Sequence, residues 1–193
     1  FGIEDLKKMK NDPLLTIASC DSGSIYKEEK FLDLLSRDDI DILVWCTREH
    51  INSKRNPQMF GWINAQNDGK ILSVSAKEPI KEGHNHPIII GTFTFKKQSF
   101  FEKAVNSLYL REGKINGEFY IDSCINDAIK LGYNCHLFEV DSFISWGTPN
   151  DLKTFEYWQL TLHKWKYHNY NLEKDRNINK SALDALRKKL KIS

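Results

Sequence analysis

Several short stretches of this sequence carry side chains able to handle phosphate or sugar oxygens. Asp21 lies in Cys20-Asp21-Ser22-Gly23-Ser24, directly after the apolar run Leu14 to Ser19. A carboxylate just beyond the C-terminal end of a buried strand stands where open α/β sheets bind ligands. There it either holds Mg²⁺, which favours carboxylate oxygens together with substrate phosphates, or caps its own turn. Lys77 precedes Glu78-Pro79 at the end of another apolar stretch. It is either a point charge for a phosphate or an ordinary strand-end lysine. Glu118 follows the turn pair Asn116-Gly117. It either accepts hydrogen bonds from vicinal hydroxyls or serves as a first-turn helix residue. In Trp146-Gly147-Thr148-Pro149-Asn150-Asp151, Thr148 or Asn150 can cap a helix running through Phe155, Trp158 and Leu162. Such a junction offers free backbone N–H groups to an anion, and it is also a common strand-to-helix turn.

The elements needed to position these residues follow from the hydrophobic pattern. Leu14 to Ser19 and Ile40 to Thr47 are continuous apolar runs, separated by a helical pattern with Phe31, Leu32, Leu34 and Leu35 on one face. That alternation predicts a parallel sheet. Arg48 to Met59 is polar, contains Asn56-Pro57 and reads as a loop. The runs Phe60 to Ala65 and Ile71 to Ser75 flank Asp68-Gly69, a strong hairpin signal, so an antiparallel excursion follows the parallel core. Pro87 to Phe95 is a strand interrupted by Gly91, and such a glycine permits close approach to backbone. Ser99 is expected to cap a helix through Leu108, and Gly132 to end another over Ile125 to Leu131. The run Leu137 to Ile144 then reads as one strand leading to Gly147. His84 and His86 form an i, i+2 pair in a loop, which is not read as a specific metal site.

With 193 residues, 40% hydrophobic and 28% charged, the chain can bury one core and carry an appendage. A net charge of +2 makes no overall case for nucleic acid, and no apolar run approaches a membrane span. Phe1-Gly2-Ile3-Glu4-Asp5 does not open a signal peptide, which favours the cytoplasm. Cys20, Cys46, Cys124 and Cys135 are too widely spaced for a zinc motif and read as reduced thiols. The expected division is a domain over residues 1–160 and an aromatic, basic appendage over 161–193. The appendage ends in an amphipathic helix over 181–192 with Leu183, Leu186 and Leu190 on one face. Its expected partner is its own domain or a twin subunit rather than nucleic acid or membrane. The chain opens without Met inside a helical pattern (Ile3, Leu6, Met9), so it is expected to be part of a longer polypeptide.

Taken in order, these landmarks resemble the sugar-phosphate nucleotidylyltransferase family, of the glucose-1-phosphate thymidylyltransferase kind and its bacterial capsule-type branch. The resemblance rests on Asp21, Gly61-Trp62, Asp68-Gly69, Lys77-Glu78-Pro79, Gly91-Thr92-Phe93-Thr94-Phe95, Asn116 to Tyr120 and Trp146 to Leu152, and covers about residues 11 to 160. It implies an α/β fold with a Rossmann-like mixed sheet of the nucleotide-diphospho-sugar transferase (glycosyltransferase-A-like) type. The first strand and Gly-rich triphosphate loop of that fold are missing here, while the antiparallel excursion and a C-terminal helical appendage are present.

The implied reaction joins a nucleoside triphosphate to a phosphorylated sugar with release of pyrophosphate, with Mg²⁺ as cofactor. By the same resemblance, Asp21 holds the metal and nucleotide, and Lys77 the acceptor's phosphate. Gly91 and Glu118 hold the acceptor's body, and Trp146, Gly147 and Thr148 line the far wall. The family's glutamate before the lysine is replaced by Ala76, and its second metal-binding aspartate by Ser145, for which Asp141 is the expected substitute. Without the loop, this chain alone is expected to be inactive. A glycosyltransferase is the neighbouring alternative, although its usual Asp-x-Asp pair is not present at Cys20-Asp21-Ser22-Gly23. A sugar-nucleotide-binding module without catalysis is the other.

Overall fold

The computed structural model describes residues 11–48, 50–80 and 86–176, with 178, 183–185 and 188. The helix expected around Ile3, Leu6 and Met9, the loop residue His84 and most of the helix expected over 181–192 lie outside the described residues. Two compact units divide the chain, residues 1–144 and 145–193. Among the described residues no helix is long and apolar enough to cross a membrane.

The first unit is built on a six-stranded mixed sheet. Its strands are β1 (Leu15–Ile17), β3 (Ile42–Thr47), β4 (Gly61–Ala65), β5 (Ile71–Ala76), β6 (Ile88–Phe95) and β7 (Cys135–Glu139). The order is β5-β4-β6-β3-β7, with β1 also on β6. All six residues of β3 are buried, which explains its unbroken apolar sequence. Ile42, Val44 and Cys46 face one core with α3 (Gln98–Leu110) and α4 (Ile121–Lys130). Leu43 and Trp45 face the other, where Phe138 and Ile90 meet Phe31 and Leu34 of α1 (Glu28–Ser36). The two apolar runs predicted to be parallel do share a direction, but they are not neighbours. Both pair antiparallel with β6, which lies between them, and the parallel partner of β3 is β7.

Where the chain was expected to loop, α2 (Ile51–Arg55) and a 3-10 turn at Pro57–Met59 form. Ser99 does not cap α3. Lys97 holds the cap position, and the carboxylate of Asp12 accepts from Ser99 N–H and Ser99 Oγ, both at 2.7 Å. Those bonds hold the Asp12 carboxyl below its usual value. The run read as one strand to Ile144 breaks after β7. Its remainder, β8 (Ser142–Ser145), pairs with β2 (Ser22–Ile25) in a separate ribbon.

The Asp68-Gly69 turn forms the expected β4–β5 hairpin, with Gly69 at φ +92. Its tip reaches β7: Lys70 bridges His136, and Leu137 N–H donates to Gly69 O at 2.9 Å. On the far side of the hairpin, Val74 N–H donates to Asn126 Oδ1 at 2.8 Å and Val74 O accepts from Asn126 Nδ2 at 2.7 Å. All four cysteines are free; Cys20 is exposed and the others are buried. Burial pushes the Cys135 thiol up to about 12.

In the second unit Thr148 caps α5 (Pro149–Lys164), as its sequence predicts, by accepting from Asp151 N–H at 3.2 Å. The composition change expected at residue 160 falls inside this helix. Beyond it, Leu172 N–H donates to His163 Nδ1 at 3.2 Å and Tyr170 Oη to Asp175 at 2.9 Å.

Candidate functional site

Two glycine contacts on or against β6 lie beside the candidate site residues of the first unit. Between Val44 and Cys46 on β3 lies one residue, yet their β6 partners are Phe93 and Ile89, so β6 bulges there. Gly91 takes up the bulge at φ +78, and a Cβ added to it would stand 3.0 Å from Ser19 Cβ. Ser19 Oγ in turn donates to the Asp21 carboxylate. The close approach read from Gly91 is therefore made by the segment that carries Asp21. We expect Gly91→Ala to lose roughly 1–2 kcal/mol, because an L side chain is disfavoured in the left-handed region. Urea unfolding measures this, and a variant as stable as the parent would contradict the geometry. Beside the segment is a cavity of about 210 Å³, lined by Ser19, Ser22 and Ser24, by Tyr26 and Trp45, and by Thr92.

Two residues before Gly91, the Ile89 side chain reaches Gly61, and Gly61 leads to a second group. Lys77 sits at φ +64, a costly backbone for a lysine, and its N–H donates to Phe60 O at 3.1 Å. Its ammonium donates to Met59 O at 2.9 Å and lies over the Tyr120 ring, 5.0 Å from the centroid. Tyr120 Oη donates to Glu118 at 2.7 Å, which raises the tyrosine's pKa. Glu118 is presented by a tight turn: Asn116 and Gly117 both have positive φ, and Ile115 and Glu118 exchange backbone bonds at 2.9 and 3.0 Å. Lys77 and Glu118 are thus joined through one tyrosine. The two groups therefore meet β6 at positions two residues apart, Ile89 and Gly91, on either side of the start of its bulge.

Sequence reasoning missed Ser19, Tyr120 and Asp122. Asp122 is partly buried, and loss of water raises its carboxyl pKa while the Lys77 ammonium opposes the rise. The available signal was Gly61, a glycine at the buried start of a strand.

Asp141 is placed elsewhere. Its N–H donates to Ile25 O at 2.9 Å, at the end of β2 remote from Asp21, and its carboxylate faces Lys30 Nζ at 3.7 Å. Among the described residues no three His, Cys, Asp or Glu side chains form a metal cage. Asp21 fits the other way of holding Mg²⁺, through one exposed carboxylate completed by substrate phosphate and water. Trp146, Gly147 and Thr148 belong to the second unit. There Trp146 packs on Phe155 at 5.2 Å, and Thr148 Oγ1 donates to Asp151 at 2.8 Å.

No protein-family model and no curated protein matches this chain. Solved structures do. A nucleoside-diphosphate-sugar pyrophosphorylase from Vibrio cholerae RC9 matches with a TM-score of 0.60 at 17% identity, over 79% of this chain and 60% of that one. A CMP:2-keto-3-deoxy-manno-octonic acid synthetase complexed with CTP matches at 0.55 and 15% identity, over 82% and 66%. A Bacillus anthracis protein provisionally assigned as a glucose-1-phosphate thymidylyltransferase, in complex with a sucrose, matches at 0.53 and 19% identity, over 75% and 53%. The fold is that of the nucleotide-diphospho-sugar transferases. This chain spans less than two thirds of the length of each of these structures. Within that fold its mixed sheet has antiparallel β6 between β1 and β3, and the Gly91 and Ile89 contacts described above both fall on β6.

Proposed function

We propose that this chain carries the metal and acceptor side of a nucleotidyltransferase that joins a nucleoside triphosphate to a phosphorylated sugar. In the proposed reaction an oxygen of the acceptor's phosphate attacks the α-phosphorus in line. The α–β phosphoanhydride bond breaks and pyrophosphate leaves. The product would be an activated sugar for surface polysaccharide.

One observation supports the reading: on β6, Gly91 meets Ser19 of the Asp21 segment, and Ile89, two residues earlier, meets Gly61, the β4 partner of the residue before Lys77. Asp21 supplies the carboxylate for Mg²⁺ and the nucleotide. Bound Mg²⁺ would neutralise charge on the triphosphate. Lys77 meets the acceptor's phosphate as a point charge. Glu118 accepts from the sugar hydroxyls with the lone pairs that Tyr120 leaves free, and Gly91 lets the segment that carries Asp21 close on β6. Trp146, Gly147 and Thr148 lead into the start of α5, where the positive end of the helix dipole suits a sugar or phosphate oxygen.

The test is pyrophosphate release by the full-length gene product with a panel of nucleoside triphosphates and phosphorylated sugars. At least one pair is expected to react in the presence of Mg²⁺. Transfer from a finished nucleotide sugar would replace this reading with a glycosyltransferase, and no release with any pair would replace it with a binding module.

A further inference from the structure

Ala76 precedes Lys77, and the one carboxylate next to it in sequence, Glu78, is exposed. The answering charge comes from another part of the fold. Asp122, in the first turn of α4, turns its carboxylate toward β4, where Oδ2 occupies the space in front of Gly61. A Cβ at Gly61 would come within 2.2 Å of that oxygen and 3.0 Å of Cγ. Gly61 is not among the residues with left-handed backbone, so space rather than conformation calls for glycine here. It pairs with Ala76, which places the admitted carboxylate one residue from Lys77 along the neighbouring strand. The same helix start supplies Tyr120, whose ring lies beneath the ammonium.

We propose that Asp122 is a positioning residue for Lys77: admitted by Gly61, its carboxylate draws the ammonium between the Met59 carbonyl and the Tyr120 ring and holds it there. The consequence for the acceptor's phosphate rests on the role of Lys77 given above; the positioning itself does not. An aspartate that only served the helix terminus would act on α4 and leave Lys77 where it is.

The test reads Lys77 directly. In a lysine-labelled sample of this chain, the Cε protons of Lys77, assigned by their loss in Lys77→Ala, carry the ring-current offset of Tyr120. Asp122→Asn and Gly61→Ala are each expected to abolish that offset, the second without touching either charge. Inorganic phosphate is the binding probe. Its affinity is expected to fall roughly tenfold in Asp122→Asn, with little further loss in the double variant with Lys77→Ala. An unchanged offset in either folded variant overturns the proposal, as do losses that simply add. Phosphate that fails to bind the parent counts against the role given to Lys77 alone, while the offset still decides on Asp122.

Discussion

Arg111→Ala is expected to lower the folding free energy by about 3 kcal/mol, the usual loss when a buried carboxylate is stripped of its cation. The Asp127 side chain on α4 is only 1% exposed, and Arg111 grips it with two bonds, Nε to Oδ1 and Nη2 to Oδ2, both at 2.7 Å. Ser107 Oγ adds a weaker bond at 3.2 Å, which cannot balance a full charge alone. Burial works to raise the Asp127 carboxyl, but the Arg111 bonds and charge outweigh it and hold it below the usual range. A carboxyl depressed in the folded state adds stability that is fully present above the unfolded value of about 3.9. That stability is lost as pH falls through the lower folded value. In Arg111→Ala the unpaired carboxyl should move up instead, so the variant should gain stability as pH is lowered from neutrality. Urea unfolding from about pH 2 to 8, which reaches below the unfolded carboxyl value as well as above it, measures both slopes. A variant within about 0.5 kcal/mol of the parent throughout would show that this pair does not tie α3 to α4.

Lys77→Ala is the substitution expected to weaken ligand binding most. Removing one side of a hydrogen-bonded charge pair costs at least about 2 kcal/mol, so affinity for a phosphorylated sugar should fall roughly 30-fold or more. The unphosphorylated sugar should lose far less, because the contact proposed for Glu118 remains. Calorimetric titration with matched phosphorylated and free sugars makes the comparison. Equal losses for both ligands would mean that Lys77 supports the shape of the pocket and not the phosphate.

Features set by neighbours in sequence were legible before any coordinates. Gly69 in Asp68-Gly69 and both residues of Asn116-Gly117 take the positive φ values their turns need, and Thr148 with Pro149 opens α5, because each choice is settled within a few residues. Features set across the chain were not legible. Ser99 had the right type for a cap, but Asp12 arrived from 87 residues away to do the work. Val140 and Asp141 look like the middle of one strand, yet two different sheets divide the run there. Within the candidate site, Lys77 and Glu118 could be picked out by type, whereas Gly61 and Asp122 gain meaning only when α4 is laid against β4.

The side-chain amide of Asn126 engages both the N–H and the C=O of Val74, as a residue of an adjoining strand would. Because β5 is the outermost strand of its sheet, this amide occupies a point at which another polypeptide could otherwise begin to add. Asn126 therefore satisfies, from a helix, two main-chain groups that the outermost strand has no neighbouring strand to pair.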